Sequence, residues 1–265
     1  MGSLLAVGLG PGDPCLLAPA ALAAIAKAQA VVGYTRYVGL VDPALLEGKE
    51  VVATGMTAEV ERCERAIELA LSGRDTVVLS SGDSGIYAMA GLLWEMLDAG
   101  GLAERLPLTV IPGVPAFVAA AALLGAPLTH DFACISLSDL LTPMERIETR
   151  LECAARGDFV IVLYNPRSSR RKDNLAKALS IISGHRGPDT PLGVVRQAFR
   201  PGQEVVVTTL AQARPEEVDM LSILVVGNSE TRLTLATDRK IMYTPRGYRR
   251  KYGLSTPHWQ LPKKR

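Results

Sequence analysis

Aromatic side chains are scarce, at 5% of 265 residues, so alanine and branched aliphatic residues fill most of the 48% hydrophobic share. Cysteine is scarce too: Cys15, Cys63, Cys134 and Cys153 lie far apart, which excludes a paired-cysteine metal motif and gives no disulfide framework. No apolar run is long. Residues 114–128 form the longest, interrupted by Pro115, Gly125 and Pro127, and fall short of the roughly 20 residues a membrane helix needs. Excess charge is also missing, since 29 basic against 27 acidic residues leave +2, so the chain as a whole is not a polycation built for DNA. Its first residues lack the basic start and cleavage pattern of a signal peptide, and the expectation is a cytoplasmic protein with reduced thiols.

What is present is an alternation of short apolar runs and helical periods. Strands are expected at 4–7, 51–52, 76–79 and 108–111, with helices at 17–28, 58–71, 84–97 and 115–124. In the 58–71 helix, Val60, Cys63, Ile67 and Leu71 recur three or four apart and define the expected buried face. The strands read as continuous apolar runs, the sign of a parallel sheet covered on both faces. Gly125-Ala126-Pro127 breaks the pattern. A second series follows, with strands at 134–137, 159–163 and 192–195, helices at 143–155 and 174–183, and then strands at 205–208, 222–226 and 240–243 with short connections. The expected organisation is an N-terminal α/β domain over 1–124, a C-terminal α/β domain over 125–252 and a basic tail over 253–265.

Three loops follow strands of the first series. Gly8-Leu9-Gly10-Pro11-Gly12-Asp13 does not fit the dinucleotide fingerprint, because its third glycine follows the second by two residues and no acidic residue stands about twenty positions on. It lacks the Lys-Ser/Thr of a phosphate loop as well. Ser80-Ser81-Gly82-Asp83-Ser84-Gly85-Ile86-Tyr87 is expected to open a helix, with Asp83 or Ser84 as its cap or Asp83 balancing a cationic ligand. Ile111-Pro112-Gly113-Val114-Pro115-Ala116 is a third turn after a strand. Three later motifs are Ser136-Leu137-Ser138-Asp139-Leu140-Leu141-Thr142-Pro143, Leu163-Tyr164-Asn165-Pro166-Arg167-Ser168 and Tyr243-Thr244-Pro245-Arg246-Gly247-Tyr248.

In this order and spacing the early loops resemble the tetrapyrrole methylases, which are two-domain α/β enzymes using S-adenosylmethionine. The three later motifs resemble the branch that methylates C17 of precorrin-3B and contracts its ring in cobalamin biosynthesis, or does the same to cobalt-factor III. The likeness covers residues 3–252. It implies a cofactor cleft between the two domains, product S-adenosylhomocysteine, a tetrapyrrole substrate, a homodimer, and no resident metal, nucleic acid or membrane. By the resemblance, Pro11, Gly82, Asp83, Ser84, Ile86, Ala116, Asn165, Ala198 and Asn228 fall at cofactor-binding positions. Pro115 stands where relatives usually carry a hydroxyl residue. Ring contraction calls for proton transfer, for which His130, Ser138 and Asp139 are the candidates. A precorrin carries several carboxylates, and arginine forks suit them; Arg36, Arg167 and Arg246 are expected near it, with Arg170, Arg171 and Arg249 as further basic candidates. An RNA methyltransferase of the same superfamily is the competing enzyme, prompted by the basic C-terminus but lacking aromatic residues interleaved with that charge. A non-catalytic cofactor sensor is the competing non-enzyme.

Overall fold

The computed structural model describes residues 1–168, 171–236 and 238–253. His258 and the last basic residues of the expected tail, with Arg170, lie outside them. The chain divides into two units, Met1–Ala120 with Arg196–Glu204, and Ala121–Val195 with the chain from Val205 onward.

The first unit runs β1 (Leu4–Gly8), α1 (Pro19–Lys27), β2 (Ala30–Tyr34), α2 (Thr35–Val38), β3 (Glu50–Thr54), α3 (Glu59–Leu71), β4 (Thr76–Ser80), α4 (Met89–Ala99), β5 (Leu108–Ile111) and α5 (Ala116–Leu124), which carries the chain into the second unit. The five strands form a parallel sheet in the order β3-β2-β4-β1-β5. Alternation within each strand feeds two cores. Leu4, Ala6, Ala30, Val32 and Val78 pack with Cys63, Ile67 and Leu93 of α3 and α4. Val7, Val31, Val77 and Leu79 pack with Ala21, Ile25 and Val38 of α1 and α2. Central β4 is buried at every position, whereas edge strand β3 alternates between half-buried and exposed. Because α1 and α4 lie on opposite faces, adjacent β1 and β4 mark the switch point at whose carboxyl ends open α/β sheets take ligands.

Two expectations for this unit need correction. Helix α3 buries Cys63 and Ile67 as expected but completes the stripe with Arg62, Ala66, Leu69 and Ala70, while Val60 is 54% and Leu71 39% exposed. Alanines and a buried guanidinium complete the face where apolar bulk alone suggested Val60 and Leu71. Helix α4 begins at Met89, not at 84, because residues 81–88 form a turn in which Gly82 and Tyr87 have φ of 68° and 51°. Neither Asp83 nor Ser84 caps the helix; its N-cap is Ala88, which has no side-chain bond to offer.

The second unit contains β6 (Gly125–Ala126), β7 (Phe132–Ser136), α6 (Met144–Arg156), β8 (Val160–Tyr164), α7 (Asn174–Ser183), β9 (Pro191–Arg196), β10 (Glu204–Thr209), β11 (Ser222–Val226), β12 (Arg232–Ala236), β13 (Arg239–Tyr243) and α8 (Tyr248–Tyr252). The end residues Arg196 of β9 and Glu204 of β10 belong to the first unit. A five-stranded sheet has the order β10-β9-β11-β8-β7, with β7 parallel and β11 antiparallel to β8. Ile147, Leu151, Leu175 and Leu179 of α6 and α7 share one core with Ile161, Leu163 and Leu224 of that sheet. Gly125-Ala126, expected to break the pattern, instead pairs in parallel with β13 and completes a three-stranded sheet with β12. Gly125 has φ of 128°, and a Cβ there would come within 2.8 Å of the Met242 carbonyl.

Among the described residues no helix is long and apolar enough to cross a membrane, and no three His, Cys, Asp or Glu side chains form a group able to hold a metal ion.

Candidate functional site

Three loops leave the carboxyl ends of β1, β4 and β5, and backbone contacts weld them together. Gly10 and Gly82 exchange hydrogen bonds: Gly10 N donates to Gly82 O at 3.0 Å, and Gly82 N donates to Gly10 O at 2.7 Å. Both need the left-handed conformation, with φ of 70° and 68°. Gly113 of the β5 loop sits so close that an added Cβ would lie 2.2 Å from Gly82 O and 2.7 Å from Gly8 O. No side chain is compatible with that approach, which is the physical reason glycine occupies the junction.

The polar side chains of the β4 loop turn inward. Asp83 Oδ1 accepts from Gly85 N at 2.8 Å, and Oδ2 accepts from Gly113 N at 3.1 Å. Its carboxylate therefore closes its own turn and ties the β4 loop to the β5 loop. Ser84 is fully buried, and its hydroxyl lies 3.2 Å from Ala6 O and 3.3 Å from Ile111 O, donating into the gap between β1 and β5. With both side chains so engaged, the loop presents backbone outward. Ala116 opens α5, its N–H among the first-turn donors that no helical carbonyl pairs. That nitrogen would lie 3.4 Å from a Cβ placed on Gly82. Pro11 is buried beside this junction, and Ile86 is half-buried in the turn. Asp13 caps a 3-10 turn by accepting from Cys15 N.

A further group reaches this cluster from a distant part of the chain. Arg200, in the segment Arg196–Glu204 of the first unit, donates from Nε to the Pro11 carbonyl and from Nη2 to Ser81 Oγ. Burial pushes its pKa below the ordinary arginine value. Burial likewise raises the Tyr37 phenol, against the pull of Arg200 and Arg62. Sequence reasoning missed Arg200, because nothing local marks a residue 189 positions from its partner. Ala198, two residues earlier, is half-buried between Gln197 and Phe199, both at positive φ.

In the second unit, two of the later motifs are joined by side chains. Asn165, at φ of 51°, donates from Nδ2 to Ser136 Oγ at 2.9 Å, and Ser136 Oγ also accepts from Ser138 N at 3.2 Å. Arg171 donates from Nη1 to Ser138 Oγ and from Nε to Ser168 Oγ. Asn174 Nδ2 donates to Leu137 O at 2.9 Å. Ser138 is thus the candidate proton-transfer residue that the structure builds into a network. Asp139 is exposed on the same loop. His130 is exposed elsewhere, its Nδ1 accepting from Asp131 N at 2.8 Å; the structure does not bring it to Ser138 or Asp139.

The candidate arginines fare differently. Arg167 is half-buried, with Nη1 donating to Glu216 O at 2.7 Å and Nε buried without a partner. Arg36 and Arg246 are exposed on α2 and in the third motif. Beside Arg246, Thr244 is buried; its hydroxyl lies 2.8 Å from that of Thr231, and its carbonyl accepts from Thr129 Oγ. Asn228 is 4% exposed, its Nδ2 donating to Asp158 O while its Oδ1 accepts from Glu230 N and Thr231 Oγ. Its side chain is spent on holding the turn after β11.

The chain is 44% identical over 270 residues to a Priestia megaterium protein named cobalt-factor III methyltransferase, and spans 49% of that protein's length. It is 46% identical over 245 residues to a Salmonella typhimurium protein named probable cobalt-factor III C(17)-methyltransferase, covering 92% of this chain and 99% of that one. A Sinorhizobium protein named precorrin-3B C(17)-methyltransferase is 36% identical, covering 93% of this chain and 97% of that one. The crystal structure of the methyltransferase CobJ superposes with a TM-score of 0.87 at 40% identity, covering 92% of this chain and all of that one. Residues 3–214 match the family described as Tetrapyrrole (Corrin/Porphyrin) Methylases, and the chain belongs to that family.

Proposed function

We propose that this chain transfers a methyl group from S-adenosylmethionine to C17 of a tetrapyrrole with contraction of the ring, a step of cobalamin biosynthesis. The observation that carries the reading is the joining of two branch motifs within the second unit, by Asn165–Ser136 and by Arg171, which bridges Ser138 and Ser168; the first unit separately carries the glycine-welded loop cluster. Relatives matching nearly the whole chain bear the names of this reaction. Two at 44% and 46% identity are named for cobalt-factor III, against 36% for the one named for precorrin-3B, which favours the cobalt-bearing ring as substrate. Following the family resemblance, the enzyme works in the cytoplasm as a homodimer and acts on the free tetrapyrrole, not on nucleic acid or at a membrane.

The residues present fit the cofactor. The β4 loop offers main chain, because Asp83 and Ser84 face inward, and the Gly8–Gly82–Gly113 contact leaves no side chain at the junction. Pro11, Gly82, Asp83, Ser84, Ile86, Ala116 and Ala198 of the first unit would bind it or shape the loops that do; Asn165 and Asn228 are cofactor positions by the family resemblance alone. When bound, S-adenosylmethionine supplies an electrophilic methyl on a sulfonium, so the substrate carbon needs little activation. The protein's task is then orientation, for which positioning alone is worth about 7–11 kcal/mol.

Among the second unit's residues, the Ser138 hydroxyl accepts from the Arg171 guanidinium and keeps its own proton to donate. A hydroxyl polarised by a cation is a stronger donor, and Ser138 is the group proposed to stabilise charge developing on the contracting ring. His130 and Asp139, exposed and outside that network, remain the alternative proton carriers. Arg167, anchored through Nη1 to the Glu216 carbonyl, is proposed to meet a substrate carboxylate with its remaining guanidinium donors. Arg36 and Arg246 are proposed to meet carboxylates at the substrate's periphery. The test is a rate comparison under anaerobic conditions with cobalt-factor III and precorrin-3B in separate reactions. Faster turnover of the cobalt form supports the reading, and turnover of neither ring overturns it.

A further inference from the structure

Arg200 holds a charge that no carboxylate among the described residues neutralises. Its two hydrogen-bonded partners, the Pro11 carbonyl and the Ser81 hydroxyl, are both neutral. No carboxylate among the described residues pairs with it, although its surroundings desolvate it. Its side chain also lies over Gly12, where an added Cβ would come 2.6 Å from Nε and 3.1 Å from Cγ. A guanidinium carries five N–H donors. Nε–H and one donor on Nη2 are spent on the loops, which leaves the Nη1 pair and the second Nη2 donor without a protein partner among the described residues. This cation therefore sits at the carboxyl ends of β1 and β4, held on two sides by the loops that follow those strands, with its remaining donors open.

An arginine so placed favours an anion with two acceptor oxygens, and a carboxylate matches the spacing of its donors. Asp83 does not serve, because its oxygens bond to Gly85 and Gly113. We propose that Arg200 recognises the carboxylate at the amino-acid end of S-adenosylmethionine, and so selects the intact cofactor over its nucleoside fragment. This rests on the reading that the chain binds S-adenosylmethionine. A purely bracing role, pinning Pro11 to Ser81, is the alternative, and the two differ in what they predict for different ligands. A brace supports every ligand that touches the loops. A carboxylate receptor matters only to ligands that carry the carboxylate.

The test is calorimetric titration of the full chain with S-adenosylhomocysteine and with 5′-methylthioadenosine, which has the same nucleoside and thioether but no amino-acid end. Arg200→Ala should weaken S-adenosylhomocysteine by roughly tenfold to a hundredfold, the worth of a charge-assisted contact, and leave methylthioadenosine within about twofold. Arg200→Gln keeps neutral donors for Pro11 and Ser81, so it preserves the brace without the charge and should show the same selective loss. Arg200→Lys, which restores charge without the fork, should recover part of the affinity. Equal weakening of both ligands in both neutral variants would overturn the proposal in favour of the brace. Unchanged affinity for S-adenosylhomocysteine would overturn it outright while leaving the cofactor reading intact. A wild-type chain that binds neither ligand would overturn both.

Discussion

Replacing Asp83 by alanine tests whether this carboxylate organises the loops, a role quite different from the helix cap its sequence position suggests. Alanine removes two hydrogen bonds to a charged acceptor, from Gly85 N at 2.8 Å and from Gly113 N at 3.1 Å. Bonds of this kind are worth about 1.5–3 kcal/mol each. Asp83 is only half-buried, so the low end applies, and the pair holds the loops closed by roughly 3 kcal/mol. At about 1.4 kcal/mol per factor of ten, the opening equilibrium should rise on the order of a hundredfold. Hydrogen exchange at the Gly85 and Gly113 amides reads that equilibrium directly. Both amides should exchange about a hundred times faster in Asp83→Ala, and amides of β1 and β4 should change little. Asp83→Asn keeps one acceptor oxygen without its charge and should fall between. Exchange at wild-type rates for both glycines in Asp83→Ala would refute the reasoning.

Other consequences are sharp enough to measure. Gly113→Ala puts a methyl group 2.2 Å from a backbone carbonyl that has no rotamer to yield, and should cost about 3 kcal/mol in denaturant unfolding along with most of the affinity for S-adenosylhomocysteine. Burial pushes the Cys63 thiol up to about 12, so a thiol reagent at neutral pH should label exposed Cys15 and Cys153 first and reach Cys63 only on unfolding; early labelling of Cys63 would contradict its place in the α3–α4 core. Hydrogen bonds from the Ser3 backbone and hydroxyl hold the Asp75 carboxyl below its ordinary value. With the folded value the lower one, this contribution is present above the unfolded carboxyl value of about 3.9 and lost as pH falls through the folded one. The stability gap between wild type and Asp75→Asn should therefore close on acidification through that window, and a gap independent of pH would be evidence against the linkage. Arg171→Ala should slow turnover while sparing S-adenosylhomocysteine affinity, since its partners are Ser138 and Ser168 of the later motifs.

The alternating architecture was legible because buried parallel strands such as Thr76–Ser80 are short, continuous apolar runs closed by glycine or serine. Strand β2 escaped notice, since Val31–Val32 lies between an alanine-rich helix and a glycine and lacks length of its own. The start of α4 was misplaced because Asp83 and Ser84 look like caps in sequence, and only the fold shows them bonded to Gly113 N, Ala6 O and Ile111 O. The glycine motifs marked the right loops, but not that Gly8, Gly82 and Gly113 meet one another. In the same way, Ser138 and Asp139 are neighbours in sequence, yet only Ser138 is held by Arg171, whose side chain comes from a loop after a different strand. Such pairings depend on register and crossover, which no local pattern encodes.

The central claim is tested most directly by supplying S-adenosylmethionine with a carbon-13 methyl group to the pure protein and cobalt-factor III, beside parallel reactions with precorrin-3B and with ribosomal RNA. The account predicts label on C17 of the tetrapyrrole, seen by nuclear magnetic resonance, with a changed absorption spectrum as the ring contracts. Label in RNA alone, or on a tetrapyrrole carbon other than C17, would contradict it.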